Sequence, residues 1–291
     1  MRGNKRSRNI IIVLFLLPAL IFLVVFMFYP FIMNFINSFY KSDGFLESTF
    51  IGLDNYRRLL KDDTIKIAVK NTYEIMLYVC LFEVGIAIIL ACMVDSITKG
   101  QKFFRTVYFF PIVISATAIG MMFKLVYSYD VGLLNSIMEA LGQERRNWIT
   151  VKSAVKMVSI PIVWQYIGFY FIIILTAIKQ IPKELYESAY LDGINGFTKT
   201  IYITLPLIRN VIITCLILAI NGVLKVFDMV LVITEGGPLN KSQILGLYMY
   251  KKAFADNTFG YAATISVLIV VLGLLTIFIV NKIFKKDTIT Y

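Results

Sequence analysis

An apolar run from Ile10 to Phe28 opens the chain, and similar runs recur at about 68–94, 104–127, 155–178, 211–234 and 263–281. Each is close to the roughly 20 residues that carry an α-helix across a ~30 Å hydrocarbon core. The pattern predicts an all-α membrane protein, with six transmembrane helices in a single domain over residues 1–291. Pro18 sits inside the first run, which a membrane helix tolerates. The stretch MRGNKRSRN before it carries four basic residues and no acid, as a signal peptide's start does. The run is long enough to span, and no small-x-small cleavage site follows it. The first helix, about 10–29, therefore reads as retained, with a cytoplasmic N-terminus.

The polar intervals complete the path. Between Tyr29 and Val69, the stretch Phe50–Leu60 places Leu53, Tyr56, Leu59 and Leu60 on one helical face, which predicts a short helix lying on the outer membrane surface. The link from Asp95 to Phe103 is short, so the second and third spans are antiparallel neighbours. Lys99, Lys102 and Arg105 mark that link as cytoplasmic. Residues 128–151 form an external loop with Trp148 at headgroup level. Thr234-Glu235-Gly236-Gly237-Pro238 breaks helix outside the membrane, and Lys282, Lys285 and Lys286 follow the last span. With both ends inside, the internal segments hold 14 Lys and Arg in 62 residues, against 13 in 98 outside. That is the sense of the positive-inside rule.

Composition narrows the chemistry. A hydrophobic content of 58% and a mean hydropathy of +0.77 exclude an ordinary soluble domain. The net charge of +11 then reflects basic membrane flanks and not nucleic-acid binding. Histidine is absent, which removes the commonest general base and metal ligand. Cys80, Cys92 and Cys215 lie inside apolar runs at no metal-ligand spacing and read as packing residues. No G-x-x-x-x-G-K-[ST] loop occurs, so the chain is not expected to hydrolyse nucleotide, and no cofactor or metal is implied.

One polar segment with helical character, 180–208, separates the fourth and fifth spans. Pro182 suits a first turn, and Glu184 and Glu187 lie near the positive end of the helix that follows. Gly193 can take the left-handed conformation that stops that helix, and Asn195 is placed to cap a second one leading to Pro206. Taken by itself, the segment is either a tidy interfacial connection or a helix–turn–helix finger. Glu187-Ser188-Ala189, Asp192-Gly193 and Ile203-Thr204-Leu205-Pro206 resemble the EAA loop of ABC-importer permeases of the sugar-importer type. Ser188 stands for the usual Ala, and Ile194 for the usual small residue after the Gly. The likeness extends over nearly the whole chain. Phe50-Ile51-Gly52-Leu53, Asn55-Tyr56 and Asn71-Thr72 are similar to the first external loop of sugar permeases. Arg105-Thr106 with Phe109-Phe110-Pro111, and Thr234 to Pro238, match further family patterns.

The resemblance implies a type I importer permease in a bacterial or archaeal cell (inner) membrane, without ATPase activity. Its implied partners are a second, similar permease, two copies of a cytoplasmic ATPase and an extracellular or periplasmic sugar-binding protein. It further implies that Glu187, Ser188, Ala189, Asp192 and Gly193 couple the spans to the ATPase. Glu187 would meet a basic side chain there, Ser188 and Ala189 would allow close approach, and Gly193 would set the elbow.

Polar residues inside the spans are the remaining candidates. Glu83 lies in the second span. In a continuous fifth span, Asn221, Lys225 and Asp228 share one face with Leu218 and Gly222. That stripe is either an internal ion-pair network, such as Glu83 with Lys225, or a polar path for a hydroxyl-rich solute. In the fourth span Trp164, Gln165, Tyr166, Phe169 and Tyr170 offer rings to stack on a sugar and an amide to bond its hydroxyls. In the maltose-importing members, the sugar is held by the helices flanking the EAA loop. That resemblance implies a pocket near Gln165, Tyr166, Phe169 and Asn221, without implying maltose. The expected function is an ATP-driven sugar importer subunit. An ion-coupled secondary carrier or channel using Glu83, Lys225 and Asp228 is the alternative, followed by an assembly scaffold. The lack of an internal repeat disfavours an inverted-repeat carrier.

Overall fold

The computed structural model describes residues 5–44, 48–97 and 99–284. Lys285 and Lys286 of the basic flank therefore lie outside the described residues. In chain order the elements are α1 (Ile11–Asn37), β1 (Tyr40–Ser42), β2 (Ser48–Phe50), α2 (Asp54–Lys61) and α3 (Asp63–Asp95). Next come α4 (Gln101–Val113), α5 (Ala116–Val126), α6 (Leu133–Ala140) and α7 (Ala154–Lys179). The rest are α8 (Lys183–Leu191), α9 (Gly196–Leu207), α10 (Arg209–Lys225), α11 (Asp228–Thr234), α12 (Leu245–Phe254) and α13 (Phe259–Phe284).

Among the described residues, α1, α3, α7 and α13 are each long and apolar enough to cross a bilayer. Two bent pairs bring the number to six if each is one span: α4 with α5, at 93°, and α9 with α10, at 71°.

The chain divides into two compact units. One comprises the described parts of Met1–Asp62 with Met249–Leu268, and the other those of Asp63–Tyr248 with Ile269–Tyr291. In the first, β1 and β2 pair antiparallel, with Tyr40 opposite Phe50. Ser38 is fully buried, and its carbonyl accepts from Asn55 Nδ2 (3.0 Å) and Thr264 Oγ1 (3.2 Å). Asn55 also donates to the Tyr40 carbonyl at 2.9 Å. The inward face of α2 is therefore Asn55 and Leu59. Leu53 and Leu60 are 56% and 75% exposed.

The second unit is built around α7. Between helices in lipid there is little hydrophobic driving force, so close approach of small residues carries the packing. Ala87 and Ala91 of α3, one turn apart and fully buried, form a flat strip in the interface that α3 makes with α7, where Phe171, Ile174 and Leu175 are likewise buried. On another side, a Cβ at Gly168 would lie 1.8 Å from the carbonyl oxygen of Tyr108, so only glycine lets α4 approach. Pro161 inside α7 denies the Met157 carbonyl its usual donor four residues on. The Tyr127 hydroxyl supplies it instead, at 2.9 Å.

The T-x-G-G-P turn is tied down from α3. Asn71 Nδ2 donates to the carbonyls of Lys241 (2.9 Å) and Gln243 (2.8 Å), and Thr72 Oγ1 accepts from the Leu245 amide (3.2 Å). Asn135 of α6 is buried to 1%. It donates to the carbonyls of Tyr129 and Arg146 and accepts from the Trp148 indole at 3.0 Å. Trp148 thus belongs to a loop-closing network, which its expected headgroup placement did not include.

Candidate functional site

A cavity of about 230 Å³ opens in the second unit where α3, α5, α7, α10 and α11 converge. Three breaks in helical regularity shape it. Glu83 lies in a π-helical stretch of α3, Val79–Val84, a wider turn that recurs at functional sites. The bend between α4 and α5 brings Ala116 to the wall. Its freed backbone groups are satisfied locally: Ser115 Oγ accepts from the Ala118 amide (3.2 Å), and Gln165 Nε2 donates to the Ile114 carbonyl (3.0 Å). That is the condition for irregular backbone at membrane depth. The third break separates α10 from α11, where Val226 and Phe227 leave the helix.

Of the six residues expected on a solute path, Gln165, Tyr166, Lys225 and Asp228 line this cavity, together with Glu83 and Tyr170. Phe169 and Asn221 do not. Phe169 packs edge-on to Tyr170, and Asn221 donates to the Ile217 carbonyl of its own helix. The break also corrects the expected single stripe: Asn221 and Lys225 close α10, whereas Asp228 opens α11 and accepts from the Met229 amide. Asp228 reaches the cavity because the chain turns, not because it lies three residues after Lys225.

Among the described residues the Glu83–Lys225 pair, offered above as one of two alternatives, is not formed. Glu83 is 2% exposed and has no hydrogen bond or ion pair among the described residues, and Lys225 lies more than 4.0 Å from any carboxylate there. Gln165, 3% exposed, leaves its Oε1 without a partner among the described residues. The apolar lining residues Val79, Ile162, Ala219 and Met229 carried no signal in the sequence, since apolar residues in a span look alike whichever way they face.

The polar segment continues the same helices. After Ile181, α8 ends in a Schellman turn: Gly193 has φ +76°, the Ile194 amide donates to the Ala189 carbonyl (2.9 Å), and the Gly193 amide to that of Tyr190 (3.0 Å). A Cβ at Gly193 would meet nothing, so the glycine is needed for its backbone angle alone. Asn195 occupies the cap position of α9 without a capping side-chain bond. Tyr186 OH lies 3.2 Å from Thr204 Oγ1, and Lys199 sits over the Tyr186 ring, clasping the two arms. Glu187, Ser188 and Asp192 are exposed. Ala189, expected to admit a partner, is instead buried at 6% within its own chain. Tyr190, Leu191, Phe197 and Tyr202 are 72–86% exposed at the tip.

Residues 83–289 match the family described as binding-protein-dependent transport system inner membrane component. The chain is also 35% identical over 288 residues to the probable ABC transporter permease protein YurN of Bacillus subtilis, covering 96% of this chain and 97% of that one. This chain belongs to that family of transport-system inner-membrane components.

The permease is 30% identical over 274 residues to the multiple sugar-binding transport system permease protein MsmF of Streptococcus mutans, with 94% of each chain covered. It shares its fold with a chain of a bacterial alginate ABC transporter, crystallised in complex with an alginate pentasaccharide-bound periplasmic protein. That match has a TM-score of 0.86 at 23% identity and covers 98% of both chains. The permease is thus a multi-pass membrane protein of the type I importer fold, and not itself an enzyme.

Proposed function

We propose that the permease is a membrane-spanning subunit of an ATP-driven importer for a sugar of the oligosaccharide class, with residues 180–208 coupling it to a separate ATPase. One observation carries this reading. Two of the helices that line the cavity, α7 and α10, also anchor the polar segment, at Lys179 and Arg209. At 1.5 Å per residue, a pull at Lys179 acts roughly 21 Å from Gln165 along one rigid helix. A force on the tip is delivered to both walls of the cavity, as a lever requires.

On this reading the cavity holds the solute through Gln165, Tyr166, Tyr170, Lys225 and Asp228, while Glu187, Ser188, Asp192 and Gly193 serve the coupling face. The assembly comprises a second, similar permease, two ATPase copies on the cytoplasmic side and an external sugar-binding protein. Relatives named for sugar transport, and the fold neighbour captured with a periplasmic saccharide carrier, support it. Both chain ends and the 180–208 segment then face the cytoplasm.

The test is uptake by the reconstituted complex with its binding protein. Sugar-stimulated ATP hydrolysis and vanadate-sensitive uptake are expected. Uptake stopped by a proton ionophore but indifferent to vanadate would overturn the reading in favour of an ion-coupled carrier.

A further inference from the structure

Of the polar residues that line the cavity, Glu83 is the one that the importer reading leaves without a task. It is 2% exposed and has no hydrogen bond or ion pair among the described residues, yet its carboxyl is not sealed off, because its oxygens open onto the cavity. The hydroxyls of Tyr166 and Tyr170, on α7, border the same space, also without a partner among the described residues. The surroundings decide the form that the carboxyl takes. A carboxylate held this far from water needs a counter-charge or several donors. Lys225, the cation of the lining, is exposed on α10 and lies more than 4.0 Å away. Asp228 of α11 brings a second acid to the wall, and the phenols of Tyr166 and Tyr170 bring no positive charge. The wall therefore holds a carboxylic acid, whose O–H is a donor with no acceptor in its own chain.

We infer that Glu83 contacts the solute as a neutral carboxylic acid, donating to a ring, glycosidic or hydroxyl oxygen of the saccharide beside the Tyr166 and Tyr170 hydroxyls. The inference rests on the importer reading and deepens it by adding a solute-contacting residue. In this form Glu83 supplies no charge to hold an inorganic cation, which the ion-coupled alternative requires of it. A buried donor that the protein leaves open is matched by a ligand that accepts, and a solute without an oxygen at that point leaves it stranded.

Dicyclohexylcarbodiimide, applied to the complex in nanodiscs, reads the proton directly. The acid passes its proton to a carbodiimide nitrogen while its oxygen bonds to the central carbon. The acyl group then shifts to nitrogen as a stable N-acylurea, and nothing leaves. A carboxylate lacks the proton that starts this addition. Peptide mass spectrometry is expected to find Glu83 labelled at neutral pH. Whichever of lactose, raffinose or arabinotriose stimulates ATP hydrolysis in the uptake assay should reduce that labelling. Glu83→Gln keeps a donor and should leave the KM for that sugar within about threefold of wild type, whereas Glu83→Leu raises it roughly tenfold per folded complex. Should Glu83→Leu fail to fold, protection of the wild-type residue still decides. Labelling absent at neutral pH, or confined to acidic pH, overturns the neutral acid. Labelling that the sugar does not reduce, or an equal KM for the two variants, overturns the contact. In each of these cases sugar-stimulated hydrolysis leaves the importer reading standing, whereas hydrolysis that none of the three sugars stimulates overturns that reading and the inference with it.

Discussion

At the scale of single residues, the costs are set by backbone groups that a membrane interior cannot hydrate. Tyr127 illustrates this, since its hydroxyl donates to the one carbonyl that Pro161 leaves open. Tyr127→Phe removes a single oxygen and creates no cavity. The expected loss is about 1 kcal/mol, between the ~0.6 typical of membrane side-chain bonds and the 1–3 of a stranded buried acceptor. A lower midpoint in detergent thermal unfolding, with uptake little changed per folded molecule, is the expected result. Glu139 of α6 and Arg145 of the loop after it are the contrasting case. Their bidentate contact (2.5 and 3.1 Å) holds the Glu139 carboxyl below its usual range. Whatever stability that adds is present above the unfolded carboxylate's pKa and lost as pH falls through the lower folded value. The pair is exposed, so screening leaves it small. Glu139→Gln should leave the midpoint unmoved at neutral pH, and a clear drop would mean the loop depends on it. The sequence disclosed Pro161 and its missing N–H. It did not disclose Tyr127 as the replacement donor, because a donor 30 residues from the Met157 carbonyl is set by packing alone.

At the scale of elements, the long apolar runs were readable because bilayer thickness imposes one length on every span. Helix α7 lies within a residue or so of the expected fourth run, whereas α1 continues to Asn37, eight residues past its expected end. Hydropathy cannot see helix that continues beyond the membrane. The breaks were the harder feature. Neither the bend after Val113 nor the one at Val226 carries a glycine or proline at the turn. Both are held by distant groups, Gln165 at one and the close approach of Gly246 to the Val226 carbonyl at the other. Two substitutions probe this level. Gly168→Ala places a methyl 1.8 Å from the Tyr108 carbonyl and must push α4 off α7. Overpacking of this kind costs about 1–3 kcal/mol, to be seen as loss of folded protein on size exclusion. Asn71→Ala strands the buried Gln243 carbonyl and frees the part-buried carbonyl of the exposed Lys241, in the loop before α12. It should cost about 1–3 kcal/mol, the range for one stranded buried acceptor, and raise hydrogen exchange in residues 241–245 before the rest of the chain. Protection unchanged there would show that the loop is held by its own Thr234–Ser242–Gly237 contacts instead.

For the whole molecule, the decisive question is whether the 180–208 segment transmits force or merely joins two helices. Gly193 separates the possibilities because no atom lies near its would-be Cβ. A substitution there introduces no clash and acts only through the left-handed backbone angle. Valine resists that angle by roughly 1–2 kcal/mol, so Gly193→Val should unwind the Schellman turn and loosen α8 from α9 while leaving α7, α10 and the cavity untouched. Asparagine tolerates the angle, and Gly193→Asn should behave nearly as wild type. If the segment is a lever, Gly193→Val lowers uptake roughly tenfold, the equivalent of about 1.4 kcal/mol. ATP hydrolysis by the complex would persist but lose its response to sugar. Glu187→Ala tests the exposed face of the same element: removing one charge from a solvated side chain cannot unfold the finger, so a fall in sugar-stimulated hydrolysis with normal membrane levels reports lost contact with the ATPase. A passive connection predicts the opposite pattern, in which Gly193→Val lowers the amount of folded permease and each surviving molecule transports at the wild-type rate. Normalising uptake to folded protein therefore decides between them, because strain in a linker is felt as stability and strain in a lever as coupling.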